Sequence, residues 1–167
     1  MKRVGAAQRT LVGLVLVILT ALGLAVGPGT ASAAPVSREQ AVNLVIARGL
    51  AQRGVPYSWA GGGIEGPSLG KGEGAEIVGF DSSGLIQYVY AGVNAKLPRS
   101  SGAMYNVGQK VTPAQALPGD LIFYGPEGTT TVTMFLGNNQ MLEVSDVVTV
   151  SPVRTTDMAP YLVRIIA

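Results

Sequence analysis

The spacing of apolar residues along the chain changes character three times. Leu11 to Val26 is a continuous apolar run with no charge. From Ser37 the pattern becomes helical: Val42, Val45, Ile46 and Leu50 recur at intervals of three and four, which predicts an amphipathic helix. Ser37 and Gln40 have the spacing of a capping box at its start, and Gly54 supplies a stop. Leu85 to Ala91 is apolar enough for a buried helix ending at Gly92, and Ser100 is placed to cap another short helix. After Pro118, Gly119 and Asp120 the period falls to two. "DLIFY" predicts a strand and "GPEG" a turn. In the next run Thr131, Thr133 and Phe135 face one way, and Val132, Met134 and Leu136 the other. Asn138-Asn139 is a hairpin turn, "QMLEVSDVVTV" a single return strand, and "YLVRIIA" the closing strand. Helices followed by an antiparallel meander predict an α+β fold, with the N-terminal helices packed on the sheet.

The first apolar run has a different meaning. Lys2, Arg3 and Arg9 precede it, and Ala31-Ser32-Ala33 follows shortly after. It is sixteen residues long, short of the ~20 that a membrane span needs. The expectation is a cleavable secretory signal over residues 1–33, a single domain over 34–167, and no membrane association once the signal is removed. The charge balance then changes. The whole chain is +2, but without Lys2, Arg3 and Arg9 nine cations face ten anions. The domain has no basic run and no arginine interleaved with aromatics, so nucleic acid is not expected as a partner. A monomer is expected.

The chain has no cysteine and no histidine. No disulfide supports the fold, no thiol can act as nucleophile, and no imidazole can act as base. A catalytic metal held by carboxylates alone is uncommon, so neither a metal nor another cofactor is expected. Between Gly61 and Gly79 there are eight glycines, which predicts a mobile surface loop. Its "GPSLGKG" is not a phosphate-binding loop: Glu65 and Gly72 stand where that pattern needs glycine and a hydroxyl residue.

Four segments carry a resemblance in the right order: "GVPYSWAGG", "GFDSSGLIQYVYAGVNAKLPRSSG", "LPGDLIFY" and "TVTMFLGNNQMLEV". They resemble the NlpC-type peptidoglycan endopeptidases, secreted papain-like cysteine peptidases of bacterial cell walls. The match runs from about Ser37 to Val150, and its wording is most similar to mycobacterial members, including those that bind peptidoglycan without cleaving it. The family motif Phe-Asp-Cys-Ser-Gly-Leu puts the nucleophile at Ser82 of this chain. The family histidine maps to Thr131, and the polar third residue, often Glu, to Glu143. Asp81, Ser83, Tyr57 and Arg99 fall on positions that line or support the groove for the stem peptide. Met104 stands where relatives often have glutamine.

A thiolate at a helix N-terminus is stabilised by the helix dipole and a neighbouring imidazolium. A serine hydroxyl ionises far less readily and needs a base in contact. A carboxylate with an ordinary pKa of ~4 is poorly matched to that task. Losing a triad's nucleophile or base costs ~10⁴ to 10⁶ in rate. The expectation is a non-catalytic domain, secreted or in the cell wall or periplasmic space, that binds stem peptides in the former substrate groove, with wall hydrolases as further partners. The ligand-binding candidates are Asp81, Ser83, Tyr57, Arg99 and Trp59. Each has a plainer alternative: Asp81 as helix cap, Arg99 as support for the loop after Pro98, and the two aromatics as packing. Two rival functions remain: a weak serine hydrolase with Ser82 helped by a carboxylate or Lys71, and a protein-interaction module.

Overall fold

A computed structural model of the chain describes residues 36–167. The expected signal segment lies outside the described residues. Helix α1 spans Arg38–Leu50. Ser37 is its N-cap, with the Ser37 and Gln40 side chains exchanging hydrogen bonds with each other's backbone as the sequence predicts. A two-stranded ribbon, β1 (Ser68–Leu69) and β2 (Val78–Gly79), leads into α2 (Ser82–Ala91) and then α3 (Ser101–Tyr105). The remaining strands are β3 (Gln109–Val111), β4 (Leu121–Tyr124), β5 (Thr131–Gly137), β6 (Gln140–Val144), β7 (Val148–Pro152) and β8 (Leu162–Arg164).

Strands β3 to β8 form one antiparallel sheet in the order β3-β8-β4-β5-β6-β7. The β5 alternation sets its two faces. Val132 and Met134 join Val45, Leu85, Ile86, Val89 and Leu142 in the core beneath α1 and α2. Ile122, Tyr124, Met141 and Leu162 form a smaller core on the opposite face, with Phe135 against it. The α+β expectation therefore holds, down to the direction of the β5 side chains.

Two local expectations are corrected. Gln140 to Val150 is not one strand but two, because the chain turns at Ser145-Asp146 and β7 runs back along β6. The turn is fastened from outside: Tyr57 N–H donates to the Asp146 carbonyl at 2.9 Å, and Val148 N–H to the Val55 carbonyl at 2.8 Å. The glycine-rich segment is tied down rather than loose. Its ribbon pairs Ser68 with Gly79 and Leu69 with Val78, and Gly70 N–H donates to the Gly74 carbonyl at 3.0 Å. "GPEG" does turn, with Glu127 at φ 51° inside it. Among the described residues no helix is long and apolar enough to cross a membrane.

The buried end of the sheet is held by an ion pair. Asp120, 1% exposed, receives both Arg164 Nε at 2.9 Å and Arg164 Nη2 at 2.7 Å, and also accepts from Leu117 N–H at 2.8 Å. Removing Asp120 leaves the partly exposed Arg164 guanidinium without its counterion and Leu117 N–H without its acceptor, which typically costs ~1 to 3 kcal/mol. Asp120→Ala is expected to lower the unfolding free energy by about that amount, read as a shifted urea midpoint at unchanged slope.

Candidate functional site

The site is built on the Phe80-Asp81-Ser82 junction, where an extended segment enters α2. Asp81 is the N-cap of α2, and its Oδ1 accepts from Gly84 N–H at 2.7 Å. A short polar side chain with extended backbone is what a helix start needs. Position 84 has to be glycine, because a Cβ there would lie 2.4 Å from the Gly61 carbonyl oxygen. The helix end therefore packs directly against the glycine-rich segment, and Asp81 N–H donates to the same Gly61 carbonyl at 3.0 Å.

Asp81 and Arg99 turn toward each other. Arg99 Nη1 donates to Asp81 Oδ1 at 2.9 Å and to Ser83 Oγ at 2.7 Å. Arg99 Nη2 donates to Asp81 Oδ2 at 2.8 Å and to the Gly61 carbonyl at 3.1 Å. The four η N–H groups of Arg99 are thereby engaged within the protein, in the forked geometry that guanidinium and carboxylate favour. The Ser83 hydroxyl, itself buried, donates to Asp81 Oδ1 at 3.1 Å. Asp81 acts as cap and Arg99 as support for its loop, while both also line an open cleft.

That cleft has a volume of about 500 Å³. Tyr57, Trp59, Asp81, Ser82, Ser83, Arg99 and Thr131 all line it. Burial raises the Tyr57 phenol above its ordinary pKa, reinforced by the Asp81 and Glu73 charges, so it remains a neutral hydrogen-bonding group at neutral pH. Ser82 is half-buried in the first turn of α2. Lys71 lines the cleft as well. Met104 does not: it is fully buried in the core.

Glu143 is the position that does not join them. It sits on β6, 7% exposed, and is not among the residues lining the cleft. Arg154 grips it with Nη1 on Oε1 and Nη2 on Oε2, each at 2.7 Å, and Ser151 Oγ donates to Oε1. Burial pushes the Glu143 carboxyl up, but the hydrogen bonds from Arg154 and Ser151 and the Arg154 charge outweigh it, so its pKa is lowered. Sequence reasoning missed Arg154 altogether, and with it a second cleft of about 690 Å³ lined by Tyr124, Arg154 and Met158. The two clefts share Thr130 and Thr131. It also missed Ser101, Thr129 and Thr130 in the first cleft, although the runs "SS" and "TTT" were in plain view. Among the described residues there is no group of three or more His, Cys, Asp or Glu suited to a metal ion.

The profile of the NlpC/P60 family matches residues 54–167. The chain belongs to the NlpC/P60 family. The P60 domain of an antigen from M. avium paratuberculosis is 72% identical, with a TM-score of 0.76, and the match covers 77% of this chain and 95% of that one. RipD from Mycobacterium tuberculosis, described as a non-catalytic NlpC/p60 domain protein adapted to peptidoglycan binding, is 70% identical, with a TM-score of 0.75, covering 75% and 98%. The peptidoglycan endopeptidase RipB of Mycobacterium tuberculosis is 57% identical over 130 residues, which is 76% of this chain and 54% of RipB. The chain thus spans about half the length of that curated relative.

The Glu143 pair makes acid stability testable. A carboxyl whose pKa is lower folded than unfolded stabilises the fold above its unfolded value, 4.5, and that contribution is lost as pH falls through the folded value. The wild-type chain is expected to lose melting temperature on acidification below about pH 4.5. Glu143→Gln is expected to start lower at neutral pH and to lose less over the same interval, measured by thermal unfolding between pH 7 and pH 3.

Proposed function

We propose that this NlpC/P60 domain is a secreted, non-catalytic peptidoglycan-binding module that seats a stem peptide in the cleft between Asp81 and Thr131. One observation carries the reading. A chain that matches a cysteine endopeptidase family over its domain has no cysteine and no histidine. Ser82 occupies the nucleophile position and Thr131 the base position. The carboxylates that could have substituted as base are otherwise engaged: Asp81 by Gly84, Ser83 and Arg99, and Glu143 by Arg154 and Ser151. The likeness to RipD supports the binding half of the proposal.

In this reading Asp81 Oδ2, which accepts from Arg99 Nη2, presents an acceptor to an ammonium or amide N–H of the peptide. Arg99 positions that carboxylate and, with Ser83, keeps its charge matched. Tyr57 offers its neutral hydroxyl from the cleft wall. The domain is residues 34–167, acts as a monomer outside the cytoplasm, and either localises the protein on the wall or shields sites from active hydrolases.

A second reading draws on the presence of Lys71 in the same cleft as Ser82. A lysine can serve a serine nucleophile in place of imidazole. The endopeptidase relatives keep this alternative in view.

Co-sedimentation with purified insoluble peptidoglycan tests the first reading, and mass spectrometry of the supernatant tests the second. The chain is expected to pellet with the sacculi at moderate salt and to release no muropeptide. Asp81→Asn, with its fold checked by circular dichroism, is expected to weaken binding about tenfold through loss of a charge-assisted hydrogen bond. Ser82→Ala is expected to bind like wild type. A chain that stays in solution overturns the binding function, and fragments that vanish with Ser82→Ala or Lys71→Met establish the hydrolase.

A further inference from the structure

The indole of Trp59 is 55% exposed beside the first cleft and is the only tryptophan in the chain. A single exposed apolar side chain is ordinary on a protein surface, but this ring lines a cleft among polar groups, on a backbone held in place. The backbone that carries it is fixed from three sides. Ser58, fully buried, donates its Oγ to the Gly74 carbonyl at 3.1 Å. Lys71 N–H donates to the Trp59 carbonyl at 2.8 Å, and Gly61 N–H to the Ser58 carbonyl at 2.9 Å. Glycines permit this closure: a Cβ at position 70 would lie 2.0 Å from the Trp59 carbonyl oxygen, and one at position 74 would lie 2.6 Å from its nitrogen. Ala60 is held at φ 58°, a left-handed conformation that a residue with a Cβ adopts only when its surroundings impose it. The chain is thus over-determined at the point where it turns this ring outward.

We propose that Trp59 is a saccharide-stacking platform, on which the indole face receives the C–H face of a pyranose from the glycan strand that bears the bound peptide. The proposal rests on the peptidoglycan-binding function above and extends it from peptide to sugar. A pyranose presents a face of C–H groups ringed by hydroxyls. Those hydrogens are weakly positive, the face of an aromatic ring is negative, and the stacked pair leaves the sugar hydroxyls at its rim. A half-exposed indole suits such a ligand, because the hydroxyls stay in water or reach polar neighbours. Lys71, Ser100, Ser101 and Thr129 line the same cleft and supply such neighbours. A stem peptide is covalently joined to a sugar at one end, so a peptide seated in the cleft brings a pyranose to one of its mouths. Trp59 lines the first cleft and not the second, whereas Thr130 and Thr131 line both. The proposal accordingly places the sugar at Trp59, with the peptide running from it toward the two threonines. Leu69 and Val78, paired across the ribbon and both exposed, would instead be covered by a protein partner docking on this side.

The single tryptophan makes the test direct. The full chain is titrated with a tetramer of N-acetylglucosamine, with a sugar-free stem tetrapeptide, and with the disaccharide-tetrapeptide. Intrinsic fluorescence is followed for the wild type, and calorimetry for all variants. The tetrasaccharide is expected to give a saturable change in Trp59 emission, and the disaccharide-tetrapeptide to bind more tightly than the bare peptide. Trp59→Ala is expected to weaken the disaccharide-tetrapeptide about tenfold and the bare peptide less than about twofold, on the scale of one lost stacking contact. Trp59→Phe, which keeps an aromatic face, is expected to retain most of the affinity and guards against a folding defect in the alanine variant. Equal wild-type affinity for the two peptide ligands, or equal losses on both in Trp59→Ala, overturns the platform while leaving peptide binding intact. No change in emission with the tetrasaccharide overturns it too and turns attention to a protein partner on the ribbon. Failure of every ligand to bind overturns this inference together with the function on which it rests.

Discussion

One carboxylate organises the cleft. Asp81 closes the N-terminus of α2 through Gly84 N–H, holds the guanidinium of Arg99 eighteen residues further on, and through Arg99 reaches the Gly61 carbonyl. Three segments distant in sequence are therefore referred to one side chain: the glycine-rich segment, the start of α2 and the loop before α3. Charge-assisted hydrogen bonds are shorter and stronger than neutral ones, and a forked pair fixes angle as well as distance. The geometry of the cleft follows from that junction, with Gly84 allowing the helix end to approach the Gly61 carbonyl closely. The same junction consumes what chemistry would have needed. Asp81 cannot act as a free base while it caps a helix and pairs with a guanidinium, and Arg99 has its η N–H groups engaged. What the cleft offers a ligand is the Asp81 Oδ2 acceptor, a set of hydroxyls, one lysine and two aromatic rings.

Glu143 shows the same economy on the far side of the sheet. A buried carboxylate needs a counter-charge or hydrogen-bond donors, because desolvation penalises the ionised form. Arg154 and Ser151 supply both, and Arg154 also lies over the Tyr124 ring, with its guanidinium carbon 4.9 Å from the ring centroid. Glu143 is thus accounted for by local electrostatics alone, without a catalytic partner.

The fold was legible wherever local chemistry decided it. The capping box at Ser37, the caps at Asp81 and Ser100, and the alternation through β5 are signals carried by a few adjacent residues, and each element formed where they stand. The division of Gln140 to Val150 was not legible, because the apolar spacing runs through it. Only Ser145-Asp146 marks the turn, and the partner that fastens it comes from Val55 to Tyr57, some ninety residues earlier. The glycine-rich segment looked loose for a related reason. Glycine count measures backbone freedom in an isolated chain, whereas here the glycines are the means by which Lys71, Gly74 and Gly79 pack against Pro56, Ser58 and Trp59. At the site, the sequence named several of the cleft-lining residues but treated Asp81 and Arg99 as independent candidates. That they also satisfy each other depends on a long-range approach that no spacing rule encodes. The Arg154 cleft was missed because its residues come from strand ends and loops whose only common property is where the sheet delivers them.

Under the proposed function, doing without catalytic groups has a consequence for binding itself. A hydrolytic site works by holding the transition state more tightly than the ground state, and contacts that favour the bound peptide equally in both states do not speed the reaction. A module that only binds is under the opposite requirement: its complementarity belongs to the intact ligand. In the proposed receptor, the small neutral hydroxyls of Ser82 and Thr131 stand where a thiol and an imidazole would be expected, and they demand no charged partner in a transition state. For a receptor that performs no chemistry, the lifetime of the complex is set by dissociation alone, and dissociation is where related complexes mostly differ. In such a receptor, contacts beyond the peptide, such as the sugar proposed to stack on Trp59, would act directly on how long the complex lasts. A rigid platform beside the cleft is of more use to a receptor than to an enzyme that has to release its product.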